Sequence, residues 1–288
     1  MPDKKRSLFF KRMIHAPFPY EGKFADSGRD FYDVVDPDTG SRLHTTPAGR
    51  RLGEDRHYRD NRVLFFIPPL FDSAKPFFYL LFFHGFRTTA ARSVHDFRLT
   101  DQVAASKQNV IFIAPQLAVD AEDSSPGKFF GKNAFRAFMA EAAGYLSEDT
   151  GLFQTERFKT APIILSAFSG GYKSVACILE YGGVGERVRG VYLLDALYGD
   201  LDVFAGWIEK NLDKAFFSLL YTKGHVKKNK KRLAALLAQK GIGYEEGRPG
   251  RLKPGQIFLT PSRRLHGDIP LLGPPRHPLQ QMLENLCL

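Results

Sequence analysis

Residues 161–180 read APIILSAFSGGYKSVACILE, and no other stretch limits the possible folds as sharply. Pro162 to Ala167 is a short apolar run with two isoleucines, suited to a buried strand, while Tyr172 to Leu179 has helical character. Almost no loop separates them. A strand can turn into a helix that abruptly only where the neighbours of the turning residue are small, and Ala167, Gly170 and Gly171 surround Phe168 and Ser169. Such a turn pushes the Ser169 hydroxyl out at the carboxyl end of a sheet, with a helix N-terminus behind it.

The rest of the chain supplies a sheet to carry that turn. FFYLLFFHGF, Phe77 to Phe86, is nearly all apolar, as expected of a central strand covered on both faces. Ser93 to Lys107 is a helix candidate, NVIFIAPQL another buried strand, and a helix is expected from near Ala134. Beyond the turn come the strand of VYLLDALYGD, a helix over Val203 to Lys210, the strand AFFSLLYT and a basic amphipathic helix over Lys227 to Gln239. GQIFLT is a final strand, and Pro278 to Asn285 a closing helix. Alternating strands and helices with right-handed crossovers predict an α/β fold: a mainly parallel central sheet with helices on both faces.

Upstream, Met1 to Arg29 is basic and aromatic and is interrupted by Pro17 and Pro19, so it reads as an arm packed on the domain. DPDTG separates two short strand-like runs and marks a hairpin, and Arg62 to Ile67, ended by Pro68 and Pro69, is read as an edge strand. At 288 residues and 43% hydrophobic content, one domain spanning 1–288 can bury a large core. Its arm and edge hairpin would occupy 1–61, and a polar loop over 116–133 would overhang the site.

A serine hydroxyl becomes a useful nucleophile when a histidine takes its proton, and the imidazolium then formed needs a carboxylate. The last strand runs into PSRRLHGDIP, which puts His266 at the carboxyl edge of the sheet, and VYLLDALYGD delivers Asp195 at the same edge. Asp200 and Asp202 are competitors for the acid position.

The order Ser169, Asp195, His266 on this scaffold resembles the α/β-hydrolase superfamily, over roughly Arg62 to Leu288. The HG pair of that family, which precedes an oxyanion-hole residue, is matched by His84, Gly85 and Phe86. The resemblance implies that the backbone N–H groups of Phe86 and Gly170 receive the developing oxyanion. Two features depart from the family. Its elbow usually begins with glycine where this chain has Ala167, and its acid commonly follows the next strand, whereas here KGHVKK offers no carboxylate. Some lipases resembling the pancreatic type carry the acid one strand earlier, where Asp195 stands.

No phosphate loop, dinucleotide fingerprint or catalytic zinc pattern is present: SGGYKS has Tyr172 where a P-loop needs glycine, and H-E-x-x-H is missing. The expected chemistry is therefore cofactor-free, on a small-molecule or acyl substrate. The loop Asp120 to Gly131 brings Asp120, Glu122 and Asp123 beside Phe129 and Phe130. With Tyr198, Phe204 and Trp207 it could form a pocket tolerant of a cationic group; the plainer reading is a solvated loop with core aromatics.

The net charge of +10 favours anionic surfaces without naming a ligand. Lys223 to Arg232, KGHVKKNKKR, could be an anion-binding face, but interleaved aromatics are absent there, which argues against nucleic acid. A non-catalytic ligand-binding protein on the same scaffold is the other alternative. With two cysteines, no membrane span and no apolar run long enough for a signal peptide, the chain as given is expected to be soluble and cytoplasmic. Oligomeric state and ester against amide stay open.

Overall fold

The computed structural model describes residues 7–24, 27–150, 155–247, 249–271 and 277–287. The elements run, in chain order, β1 (Ser7–Arg12), β2 (Val34–Val35), β3 (Arg42–Thr45), β4 (Arg51–Gly53), α1 (Glu54–His57), β5 (Arg62–Ile67) and β6 (Phe78–Phe83). They continue as α2 (Ala90–Asp96), α3 (Leu99–Ala105), β7 (Val110–Pro115), α4 (Ala134–Thr150), α5 (Thr155–Thr160), β8 (Ile163–Phe168), α6 (Tyr172–Tyr181) and β9 (Val188–Leu194). The chain closes with α7 (Leu201–Lys210), β10 (Phe216–Tyr221), α8 (His225–Gln239), β11 (Ile257–Pro261) and α9 (Pro278–Glu284).

Eight strands form one sheet in the order β1-β5-β7-β6-β8-β9-β10-β11. From β7 to β11 every pairing is parallel, and β5 and β1 add antiparallel at one end. The parallel strands are mostly apolar on both faces because both faces are covered. On β8, Ile163, Leu165 and Ala167 enter one core with residues of α4, α6, α7 and α8, while Ile164 and Phe168 enter the other with residues of α2, α3 and α9. The alternation follows from the two-residue period of a strand. Helices thus cover both faces of a mainly parallel sheet, as the sequence predicts, with β6 and β8 at its centre.

Three expectations are corrected. Arg62 to Ile67 is not an edge strand, because β1 pairs with it along its full length, from Ser7 opposite Ile67 to Arg12 opposite Arg62. The presumed arm therefore contributes a strand to the main sheet, although its first six residues and residues 25–26 lie outside the described residues. The DPDTG hairpin belongs to a separate three-stranded sheet, β2-β3-β4. The helix expected over Ser93 to Lys107 is two helices, broken at Arg98, whose φ of 51° is left-handed.

The small sheet packs through an aromatic cluster in which Phe18, Phe31 and Tyr58 are fully buried against Ala118 and Ala121 of the segment after β7. Phe31 stacks on His44 at 4.1 Å, and the His44 Nδ1–H donates to the Phe31 carbonyl at 2.8 Å. Among the described residues no helix is long and apolar enough to cross a membrane.

Candidate active site

Ser169 follows β8 directly and opens a short 3-10 turn, Ser169–Gly171, that leads straight into α6. Its φ is 52°, a left-handed conformation that a non-glycine residue adopts only when the surroundings hold it there. The surroundings are close backbones. A Cβ on Gly171 would collide with the Phe83 carbonyl and stand 2.9 Å from that of His84, and a Cβ on Gly85 would stand 2.9 Å from the Ser169 Cβ. Glycine at these positions lets the turn after β6 lie against the turn after β8.

His84 holds the first of these turns. Its Nδ1–H donates to the Gly85 carbonyl at 2.8 Å, and its Nε2 accepts from the Leu117 backbone N–H at 3.0 Å, so the ring is the neutral Nδ1–H tautomer. Burial pushes its pKa down to about 4, against the smaller upward pull of the Gly85 hydrogen bond and the Asp120 charge. Phe86 follows, and its exposed ring lies across Gly170, where any Cβ would strike it. The Ser124 Oγ lies 3.1 Å from the same Cβ position.

His266 arrives from the far edge of the sheet in a 3-10 turn after β11. Its Nε2 is 3.0 Å from the Ser169 Oγ, and its Nδ1 is 2.6 Å from the Asp195 Oδ2. With a carboxylate at Nδ1, that nitrogen carries the proton and donates it, which leaves Nε2 to accept from the serine hydroxyl. The ring stacks on Phe168 with centroids 4.7 Å apart, so the residue before the serine also fixes the plane of the histidine.

Asp195 follows β9 directly and is 1% exposed. Burial pushes its carboxyl up most strongly, but hydrogen bonds from His266 and from the Thr222 hydroxyl and backbone outweigh it and hold the pKa below the ordinary carboxylate value. The Thr222 N–H reaches Oδ1 at 2.7 Å and its hydroxyl reaches Oδ2 at 2.6 Å. Asp200 stands just before α7 without a side-chain bond to the helix end, and its carboxylate pairs with Lys173 at 2.8 Å instead.

The residues expected to line a substrate pocket divide. Tyr198 is half-buried beside the histidine, its ring edge-on to His266 with centroids 6.3 Å apart. Phe129, Phe204 and Trp207 are instead members of the hydrophobic core, and Phe130 packs on Tyr20 and Phe24 of the N-terminal region. The three loop carboxylates are also spoken for. Asp120 pairs with Arg92 at 2.7 Å, Glu122 with Arg87 and with Arg50 at 2.7 Å, and buried Asp123 accepts from the Tyr58 and Ser125 hydroxyls. They hold the loop in place, so the expectation of a cation-tolerant pocket built from them is corrected.

Sequence reasoning overlooked Thr222 and the stacking role of Phe168. Thr222 follows β10, the parallel neighbour of β9, and Leu194 pairs with Leu220, so the two strands end side by side. That adjacency was the available signal. A cavity of about 650 Å³ lies elsewhere, lined by Tyr192, Ser218, Leu220, Arg264 and Met282 among others but not by Ser169, Asp195 or His266. Among the described residues no cluster of His, Cys, Asp or Glu could hold a metal ion.

No family model and no curated protein matches this sequence. Among solved structures, a mutant of the feruloyl esterase module from Clostridium thermocellum, complexed with sinapinate, aligns with a TM-score of 0.52 at 14% identity, covering 93% of this chain and 95% of that one. A ferulic acid esterase aligns with a TM-score of 0.47 at 10% identity, covering 89% of this chain and 90% of that one. An S-formylglutathione hydrolase from Agrobacterium tumefaciens gives a TM-score of 0.42 at 8% identity, covering 88% of this chain and 85% of that one. At such identities the likeness is one of fold.

Proposed function

We propose that this chain, which has the α/β-hydrolase fold, is a cofactor-independent serine hydrolase that cleaves an ester or amide through an acyl-enzyme on Ser169. The observation that carries the reading is the continuous hydrogen-bond chain from Asp195 through His266 to Ser169, at 2.6 and 3.0 Å. In the first half-reaction the Ser169 Oγ attacks the carbonyl carbon while His266 Nε2 takes the hydroxyl proton. The imidazolium is stabilised by Asp195, which is buried, ionised and fixed by Thr222. The backbone N–H groups of Phe86 and Gly170 receive the oxyanion, in a turn pressed against the serine. His266 then returns the proton to the leaving group. In the second half-reaction it activates water, and the acid is released.

A carboxylesterase is preferred to an amidase or peptidase, because an alcohol leaving group asks less of the acid step. The neighbour with the TM-score of 0.52 is a feruloyl esterase. That likeness supports a small-molecule ester as the substrate, and the aromatic rings of Phe86, Phe168 and Tyr198 around Ser169 and His266 suit an acyl or alcohol group with an apolar face. A fluorophosphonate probe tests the assignment, since it phosphonylates activated serines. The native protein is expected to label within minutes and the Ser169→Ala and His266→Ala variants not to label; equal labelling of native protein and Ser169→Ala would refute the assignment.

A further inference from the structure

The cavity of about 650 Å³ that leaves out the serine, the aspartate and the histidine is built on strands of the main sheet. On its floor Tyr192 of β9 stands opposite Ser218 of β10, and Leu220 of β10 opposite Thr260 of β11. Alternate residues of a strand share a face, so these side chains turn to the side of the sheet that α9 covers. Pro278, Gln281 and Met282 of α9 form the facing wall, and Ser262, Arg263 and Arg264, which continue from β11, form a rim. Tyr192, Ser218 and Met282 are buried, so the space reaches into the core and is not a surface dimple. Its volume falls in the range of about 300–1,000 Å³ typical of small-molecule sites.

The polar groups of this lining are unevenly satisfied. The Tyr192 hydroxyl donates to the Pro278 carbonyl at 3.4 Å, and the Thr260 hydroxyl to the Gly247 carbonyl. Ser218 is only 2% exposed, yet among the described residues its hydroxyl has no hydrogen-bond partner, and it faces the cavity. A buried hydroxyl in that state is destabilising until something in the cavity bonds to it. Charge is uneven as well. Among the described residues neither the Arg263 nor the Arg264 guanidinium has a carboxylate partner, whereas Glu246, which also lines the cavity, is paired with the Lys230 ammonium. The lining therefore joins an apolar interior to a rim with two uncompensated positive charges.

We propose that this cavity is a second ligand site and that it takes an amphiphilic monocarboxylate. The carboxylate sits at Arg263 and Arg264, whose planar guanidinium groups present paired N–H donors to its two oxygens. The apolar body lies along Tyr192, Leu220 and Met282, and removing it from water supplies the driving force that two exposed arginines lack. Ser218 offers a hydrogen bond to a polar atom on that body. The same two charges reject a cationic amphiphile of equal length. The site stands apart from the serine-hydrolase reading, because neither Ser169 nor its two partners line it.

Isothermal titration calorimetry with decanoate and with decyltrimethylammonium tests the site. Native protein is expected to bind one equivalent of decanoate, and the cationic probe at least about tenfold more weakly. The double variant Arg263→Ala/Arg264→Ala is expected to weaken decanoate about 10–100-fold. Both arginines are exposed, so its urea midpoint should match that of native protein, and lost affinity then reads as lost contact. Ser218→Leu fills the floor and is expected to weaken decanoate at least about tenfold. Ser169→Ala and His266→Ala are expected to bind it within about threefold of native protein. No binding of decanoate at millimolar concentration, equal affinity for the two probes, or an unchanged affinity in the arginine double variant would overturn the proposal. Loss of binding in Ser169→Ala would overturn it too, by placing decanoate at the candidate active site. Fluorophosphonate labelling of Ser169, run alongside, tests the hydrolase reading by itself: either result can fail while the other holds.

Discussion

At the scale of single residues, the decisive contrast is between two aspartates on the same stretch of chain. Asp195 accepts hydrogen bonds from His266 and Thr222, whereas Asp200 accepts one from Lys173 and leaves its Oδ2 buried without a partner. Asp195→Asn leaves an amide that cannot stabilise the imidazolium and can hold the wrong tautomer, so kcat is expected to fall about 10³–10⁴-fold. Asp200→Asn removes only a charge pair away from His266 and is expected to stay within about tenfold in kcat/KM. Steady-state kinetics on one activated ester compares both. The serine and the histidine were legible because their signals are local: small residues around a turn, and a histidine just past the last strand. The preference for Asp195 was legible from its place at a strand end. Its support by Thr222 was not, because it depends on how far two neighbouring strands extend before they stop.

Among elements, the junction of β8 and α6 is where backbone proximity replaces side-chain packing. Gly171→Ala drives a methyl into the Phe83 and His84 carbonyls, which belong to the backbone of a central strand and its turn and cannot move aside. It is expected to cost about 3 kcal/mol of stability, read from the urea midpoint at constant m-value. Most elements of the parallel sheet could be read from the sequence, because a strand buried on both faces is a continuous apolar run and its flanking helices keep a helical period. Two elements could not. β1 has Leu8 and Phe10 exposed and Phe9 half-buried, so its pattern is that of an open edge, and only its pairing to β5 makes β5 an interior strand. The break at Arg98 has no glycine or proline to announce it; tertiary packing of α2 and α3 imposes the left-handed residue.

For the molecule as a whole, His84 ties stability to pH. Its folded pKa lies near 4 against an ordinary 6.5, so the unfolded chain binds more protons between those values, and folding is favoured more as pH rises through them. The contribution is complete above about pH 6.5 and is lost as pH falls toward 4. Unfolding free energy from urea titrations is expected to be about 2 kcal/mol lower at pH 5 than at pH 7.5 from this residue alone, and His84→Gln should remove that share of the slope. The same wide view changes what the segment after β7 means. Its aromatic, carboxylate and backbone contacts run into the N-terminal region: Ala118 and Ala121 in the aromatic cluster, Arg50 on Glu122, Tyr58 on Asp123, and the Lys128 ammonium on the Ile14 carbonyl. Together they make a masonry arch over one side of Ser169, with its footing in residues that precede the parallel sheet. If the chain is the serine hydrolase proposed above, that arch frames one side of the approach to Ser169 before a substrate arrives, and loosening its footing is expected to widen the range of substrates admitted before it slows the chemistry.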